Sequence, residues 1–205
     1  MKRLIIATNN QGKVREIKAI LSGFYDEILS LKDAGINHDV VEDGNSFHEN
    51  ARKKAVEISE MVDGDVLADD SGLCVEALDG APGIYSARFS GEGANDEKNN
   101  AKLLSLVKDK ENRRAWFVCA LVLANGGKEK LYVEEKAEGR IIDEPKGENG
   151  FGYDPLFYVE EYGQTFAEIP AEIKNCLLYT SSAGANCGDS KRSAQLCRFA
   201  ESGSG

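Results

Sequence analysis

The fold of this chain is decided by the stretch Val66-Leu67-Ala68-Asp69-Asp70-Ser71-Gly72-Leu73. Three apolar residues lead directly into two carboxylates, a hydroxyl and a glycine, which predicts a short buried strand ending in a turn with the acids at its tip. Adjacent side chains of an extended segment point to opposite faces, so Asp69 and Asp70 need not share one role. Oxygen ligands of this kind suit a hard divalent cation, although an ordinary Asp-Ser-Gly turn with solvated acids is the commoner source of such a pattern.

Composition narrows the classes of function. The chain has 205 residues, of which 41% are hydrophobic and 29% are charged, and this is ordinary for a globular protein with one domain or two lobes. Its formal net charge of -10 argues against nucleic acid or an anionic membrane as the main partner. A small phosphorylated ligand is not excluded, because it needs only a local positive patch. No apolar run approaches the roughly 20 residues of a membrane span.

The cysteines indicate the compartment. There are five, an odd number, and no Cys-x-x-Cys pair occurs among them. Neither a disulfide framework nor a zinc site is therefore indicated. We expect a cytoplasmic protein, because reduced thiols are typical of that compartment.

A polar loop follows the first predicted strand, Leu4–Ala7. Apolar residues at helical spacing then predict a helix over Val14–Leu21. The N-terminus of a helix offers backbone N–H groups and positive dipole charge that suit a phosphate, and Lys13 adds a full charge. The loop is not a Walker A motif, and strand-loop-helix units without a ligand are common. The pattern alone leaves both interpretations open.

Strand and helix patterns alternate along the rest of the chain. Ser46 and Glu49 are spaced as a capping box that begins a second helix, and a third helix is predicted over 96–107. Two β-prone segments flank Asn125-Gly126-Gly127 and predict a hairpin. This alternation predicts an α/β fold with a mixed sheet. Glu42 precedes the second helix in a loop that could return near the two acids, although a solvated loop acid is the commoner interpretation.

A glycine-rich stretch covers residues 147–157, with two aromatic residues and an acid among its glycines. Glycine lets the backbone approach a ligand closely. The face of Phe151 or Tyr153 can stack on a base, and the backbone or Asp154 can read the polar edge of that base. The alternative is a glycine-rich hairpin whose aromatic residues pack in the core.

Taken together, these motifs resemble the inosine/xanthosine triphosphate pyrophosphatase family. The matching segments occur in family order and comprise residues 7–13, Phe47 with Glu49-Asn50-Ala51, and residues 68–73, 81–91 and 150–155. The resemblance implies a long mixed β-sheet flanked by helices, in two lobes with a central active-site cleft, and a homodimer. It also implies a reaction in which ITP, dITP or XTP is hydrolysed to the monophosphate and pyrophosphate with Mg²⁺.

The resemblance further implies roles for individual residues. Asp70 is the expected catalytic base and a metal ligand, and Glu42 is the expected second ligand. Lys174 is expected to reach the base and to favour a 6-keto purine over adenine. The full set of expected substrate-binding residues is Thr8, Asn9, Asn10, Gln11, Gly12, Lys13, Ser71, Phe151, Gly152, Tyr153, Asp154 and Lys174.

After Lys174-Asn175 the chain departs from the family pattern. The family continues with a Ser-His-Arg motif and a final amphipathic helix, whereas this chain reads Cys176-Leu177-Leu178-Tyr179-Thr180-Ser181-Ser182, and no histidine follows His48. We therefore predict a pyrophosphatase domain over 1–175 and an atypical tail over 176–205 that is foreign or disordered. Two alternatives stay open: a pyrophosphatase for other modified or pyrimidine triphosphates, and a nucleotide-binding protein of the same fold whose catalysis the altered C-terminus impairs.

Overall fold

A computed structural model describes residues 1–8, 10–171 and 173–174. The predicted tail over 176–205 and the predicted binding residue Asn9 therefore lie outside the described residues. The domain boundary at residue 175 stays a prediction. No helix in the described ranges combines the length and the apolar character that crossing a membrane requires.

The described strands form one mixed sheet. They are β1 Arg3–Ala7, β2 Glu27–Ser30, β3 Asp65–Val75, β4 Arg114–Asn125, β5 Lys128–Ile141, β6 Phe157–Val159 and β7 Gln164–Thr165. Their order across the sheet is β2-β1-β3-β4-β5-β6-β7. Strand β1 is parallel to β2 and β3, whereas β6 is antiparallel to β5 and β7. The predicted α/β fold with a mixed sheet is confirmed.

Three α-helices accompany these strands: α1 Gln11–Leu21, α2 Phe47–Ser59 and α3 Asp96–Val107. Helix α2 begins as predicted, because Ser46 Oγ accepts the N–H of Glu49 at 3.1 Å. The carboxylate of Glu49 accepts the N–H of Asn45 at 2.7 Å, one residue earlier than a capping box would use. The start of α2 is thus held by both side chains, in a slightly different arrangement from the one predicted.

Strand β3 is longer than its sequence predicts. The expected turn at Asp69-Asp70 is wrong, because the strand continues through both acids to Val75. The register pairs Ala7, the last residue of β1, with Ala68, so β3 extends beyond the end of β1. Both carboxylates are buried and bonded to side chains of other elements, so they need no exposed turn for hydration. These contacts override the weak strand preference of Asp, Ser and Gly.

The described chain forms two compact units. The first comprises Met1–Asp70 and Cys119–Glu135, and its core contains completely buried residues of β1, α1, α2 and β3. The second comprises Ser71–Val118 and residues 136–174, with a core built around the rings of Phe157 and Phe166, whose centroids lie 4.8 Å apart. The expected cleft between lobes stays a prediction.

Gly139 provides a test of packing in the second unit. A Cβ at this position in β5 would collide with the carbonyl oxygen of Tyr158 and would come within 2.8 Å of the Phe157 ring. We expect Gly139→Ala to lower the free energy of unfolding by about 1–3 kcal/mol through overpacking, measured by urea denaturation. The control is Glu138→Ala at the exposed neighbouring position, for which we expect a change below about 0.5 kcal/mol. Equal effects of the two substitutions would contradict this account.

Candidate active site

An ion pair between Lys13 and Asp69 joins the first turn of α1 to β3. Lys13 Nζ donates to Asp69 Oδ2, and the two side chains are only 15% and 2% exposed. Burial, the largest single effect, would lower the pKa of Lys13, but the charge and hydrogen bond of Asp69 together with Cys119 and Asp70 outweigh it and raise that pKa. Burial alone would raise the pKa of Asp69, but Lys13 and Lys54 reverse this effect and lower it. Both members of the pair are therefore charged at neutral pH.

The predicted phosphate loop lies directly before the first turn of α1 and continues into it. Asn10 caps the helix, because its Oδ1 accepts the N–H groups of Gly12 at 2.9 Å and Lys13 at 3.2 Å. The N–H of Asn10 donates to Thr8 Oγ1 at 3.3 Å, and Gln11 is exposed. Two of the amides expected to bind phosphate are thus engaged by the cap. Binding through those amides requires Asn10 to move, whereas the Lys13 ammonium has two further N–H groups to offer.

Asp70 has a different set of neighbours. Asn50 of α2 donates its Nδ2 to Asp70 Oδ2 at 3.0 Å, and Asp70 is 8% exposed. Burial raises the pKa of Asp70 to about 6, an effect that Lys54 and Asn50 oppose and that Glu42 and Asp69 increase. A carboxyl group with this pKa is ionised at pH 7 and is basic enough to accept a proton from water.

Glu42 belongs to the electrostatic surroundings of Asp70. Lys54 Nζ donates to Glu42 Oε1 at 3.0 Å, and both side chains act on the pKa of Asp70. Ser71, the predicted substrate contact, lies half-buried in β3 directly after Asp70. Across the described ranges, no three His, Cys, Asp or Glu side chains form a group that could hold a metal. The expected ligands Asp70 and Glu42 would therefore need further oxygen atoms, from substrate or water, to complete the coordination shell of a divalent cation.

Sequence reasoning does not identify Asn50 and Lys54 as site residues, although a signal for them exists. They lie four residues apart on α2 and are therefore neighbours on its surface. Ala51 and Ala55, the residues that follow each of them, are completely buried. Polar residues beside a buried helical stripe indicate that this side of α2 packs against polar groups.

The predicted base-binding loop lies in the second unit. The N–H of Phe151 donates to Asp154 Oδ2 at 2.9 Å, and the Tyr153 hydroxyl donates to the Ser86 carbonyl at 2.9 Å. Tyr153 is 4% exposed and belongs to the core, so it matches the alternative in which the aromatic residues pack internally. Phe151 is 37% exposed and can present a ring face to a ligand.

A buried ion pair lies beside this ring. Lys174 Nζ donates to Asp154 Oδ2 at 2.6 Å and lies 4.4 Å from the centroid of the Phe151 ring. Burial raises the pKa of Asp154, while the Lys174 charge and the Phe151 N–H oppose that effect. A Cβ at Gly150 would collide with the Asp154 carboxylate. The contact with Asp154 therefore requires a glycine at position 150. Close approach of the backbone to a ligand, one of the two interpretations of this stretch, is not needed to explain it.

This chain matches one family model, and it is similar to curated relatives and to solved structures. The model of the Ham1 family matches residues 4–185. The chain is 50% identical over 185 residues to the dITP/XTP pyrophosphatase of Geobacter sulfurreducens, covering 89% of this chain and 93% of that protein. It is 49% identical over 191 residues to the dITP/XTP pyrophosphatase of Clostridium perfringens, with coverage of 89% and 94%. The solved structure of the Staphylococcus aureus Ham1 protein matches with a TM-score of 0.77 and 40% identity, over 86% of this chain and 91% of that one.

The two adjacent acids should differ in their effect on stability. Asp69→Asn leaves the buried ammonium of Lys13 without its charged partner, so we expect the free energy of unfolding to fall by about 2–4 kcal/mol. Asp70→Asn removes a carboxylate whose ionised form is disfavoured by burial, while the new amide oxygen can still accept from Asn50. We therefore expect Asp70→Asn to raise the free energy of unfolding at pH 7 by an amount on the order of 1–3 kcal/mol. Urea denaturation without divalent metal measures both, and a similar loss in the two variants would refute the distinction.

Proposed function

The chain belongs to the Ham1 family, and from this membership we propose that it hydrolyses the non-standard purine nucleoside triphosphates ITP, dITP and XTP to the monophosphate and pyrophosphate, which removes them from the nucleotide pool. It is thus a hydrolase acting on an acid anhydride. The observation that carries the proposal is the setting of Asp70, a buried carboxylate with a pKa of about 6 beside Glu42 and Lys54.

Asp70 is the proposed general base. Water attacks the α-phosphorus, and the Asp70 carboxylate takes a proton from that water. The bond between the α-phosphorus and the bridging oxygen breaks, and its electron pair leaves with pyrophosphate. The hydrogen bond from Asn50 holds the carboxylate in one orientation while this happens.

The loop at the start of α1 is the proposed triphosphate site. Lys13 keeps one N–H on Asp69 and directs the others to the phosphates, where its charge stabilises the negative charge that develops on pyrophosphate. The ion pair with Asp69 limits the rotamers of Lys13, so less conformational entropy is lost on binding. The remaining residues of the proposed loop are Thr8, Asn9, Asn10, Gln11 and Gly12.

A divalent cation is the proposed cofactor, and Mg²⁺ fits the donor set. Asp69, Asp70 and Glu42 supply three negative charges near the two positive charges of Lys13 and Lys54, so this group alone repels a triphosphate. Mg²⁺ in enzymes is commonly held by one or two carboxylates together with substrate phosphates, and Asp70 and Glu42 provide that number. When bound, the ion would neutralise phosphate charge and withdraw electrons from the phosphoryl group.

The loop over 150–154 and Lys174 form the proposed base site. Phe151 offers an exposed ring for stacking, and Asp154 holds Lys174 in place. An N–H of Lys174 is satisfied by the 6-keto oxygen of hypoxanthine or xanthine but not by the 6-amino group of adenine. Leaving one such buried group unpaired costs about 1–3 kcal/mol, or roughly 5- to 150-fold in affinity.

We also propose that the protein works in the cytoplasm and as a homodimer. The cysteines of the sequence support the cytoplasmic location, because they are odd in number and include no Cys-x-x-Cys pair, and reduced thiols are typical of that compartment. The family resemblance supports the dimer. Gel filtration with light scattering tests it directly.

Substitution of Asp70 tests the proposed catalytic role. We expect Asp70→Asn to lower kcat for ITP hydrolysis about 10²- to 10⁴-fold, because the amide cannot accept the proton of water. Pyrophosphate release with Mg²⁺ present is the measurement. Asp63→Asn, a change to an exposed acid of the same unit, is the matched control and should retain full activity.

Other outcomes of this assay separate the alternatives. Full activity of Asp70→Asn would refute the role of Asp70. Thermal stabilisation of the wild-type protein by ITP without pyrophosphate release would favour a nucleotide-binding protein. Faster release from pyrimidine triphosphates than from ITP would favour the related pyrophosphatase.

Substitution of Glu42 tests the metal site separately. We expect Glu42→Gln to raise the Mg²⁺ concentration needed for half-maximal rate about tenfold, since a charged oxygen ligand becomes neutral. The maximal rate of Glu42→Gln at saturating Mg²⁺ should change by less than this factor. Asp43→Asn is the control, because Asp43 is the neighbouring acid and pairs with Lys53 rather than with Lys54. An unchanged Mg²⁺ requirement in Glu42→Gln would exclude Glu42 as a ligand.

A further inference from the structure

Helix α3 holds the peptide groups on both sides of Gly152. The N–H of Gly152 donates to Asp96 Oδ2 at 2.7 Å, and its carbonyl accepts from Asn100 Nδ2 at 3.0 Å. Asp96 and Asn100 are four residues apart and therefore lie on the same face of α3. Gly152 itself lies between Phe151 and Tyr153, in the middle of the proposed base site.

We propose that Asp96 and Asn100 are positioning residues that set the affinity of this protein for the purine base. They act through the backbone of Gly152 and need not touch the base themselves. This inference rests on the proposed function, because it concerns the same base site.

The need for such a clamp follows from the loop's other anchors. Phe151 is tied to Asp154 through its N–H, and Tyr153 is tied to the Ser86 carbonyl through its hydroxyl. Gly152 has no side chain and adopts a positive φ of 62°, a region that glycine enters and leaves easily. The Phe151 carbonyl also accepts the N–H of Asp154 at 3.2 Å, and α3 adds a hydrogen bond to the N–H of that same peptide and another to the carbonyl of the next one. The clamp thus holds the backbone on the C-terminal side of Phe151 and limits the directions that its ring can take.

Asn99 shows that this part of α3 is built to hold loops. It is 3% exposed, donates to the Ala87 carbonyl at 3.1 Å and accepts the N–H of Ser90 at 2.8 Å. It also donates to the carbonyl of Ser86, the group that the Tyr153 hydroxyl contacts. One helix therefore holds the base loop directly and, through Ser86, by a second route.

The orientation of the Asn100 side chain supports the same conclusion. The carbonyl of Gly152 requires a donor, so the Nδ2 of Asn100 must face it. The Oδ1 of Asn100 is then buried with no hydrogen-bond partner among the described residues. The opposite orientation of the amide would bring two acceptors, Oδ1 and the Gly152 carbonyl oxygen, against each other, so the bond to Gly152 determines how the Asn100 amide is turned.

The test compares variants of the clamp. Asn100→Leu keeps the approximate size of the side chain and removes the donor. We expect it to raise KM for ITP and Kd for inosine monophosphate about tenfold, while kcat stays within about twofold, because the chemistry at Asp70 is unaffected. Isothermal titration calorimetry gives Kd, and pyrophosphate release gives KM and kcat.

Asp96 supplies a second, matched pair of variants at an exposed position. Asp96→Ala and Asp96→Asn both lose the charge, but only Asn keeps an acceptor for the Gly152 N–H. We expect Asp96→Ala to raise KM and Kd about tenfold and Asp96→Asn to stay within about threefold of the wild type. Equal behaviour of these two variants would overturn the positioning role, and this comparison remains decisive even if Asn100→Leu fails to fold.

A control separates positioning from general loss of helix stability. Asn95 Oδ1 caps α3 by accepting the N–H of Lys98 at 2.8 Å. Asn95→Ala should lower Tm without changing KM or Kd. An increase in KM as large as that of Asn100→Leu would overturn the inference. A wild-type protein that releases no pyrophosphate from ITP would instead refute the proposed function, whereas an active wild type with unaltered clamp variants would refute only the clamp.

Discussion

The ion pair between Lys13 and Asp69 is the interaction on which the first unit depends. It places a charge from the first turn of α1 against the part of β3 that extends beyond β1. A carboxylate buried at this position would be strongly unfavourable without a cation beside it. With Lys13 in place, β3 continues as a regular strand and carries Asp70 to the Asn50 side chain of α2.

Two neighbouring acids therefore have opposite properties. Lys13 and Lys54 keep the pKa of Asp69 below its ordinary value, whereas burial raises that of Asp70 to about 6. Pairs of carboxyl groups with diverging pKa values are a recurrent sign of divided catalytic roles. In the proposed mechanism, Asp69 positions the Lys13 ammonium for contact with phosphate, and Asp70 supplies the basicity that proton transfer needs.

The second unit achieves rigidity by different means. Its loop over 150–154 is held mainly through backbone groups, with Asp154 bound to the Phe151 N–H and α3 bound to Gly152. Backbone anchoring leaves the Phe151 ring available for a ligand, while Lys174 and Asp154 satisfy each other's charge. This arrangement suits the proposed base site, because the buried charges already have partners before a ligand binds.

The sequence by itself determined the order of the helices and of strands β1 to β5, the bounds of α3 and the mixed character of the sheet. It also determined the family, because several unusual motifs occur in the family's order. These features depend on local periodicity, turn residues and motif spacing, all of which lie within short segments. Only the tertiary structure decided that β3 continues through Asp69 and Asp70, that Asn50 and Lys54 adjoin the acids, and that Tyr153 packs in the core. Each of these depends on residues that are distant in sequence and meet only after folding, and their contact energies outweigh the local preferences that a sequence displays.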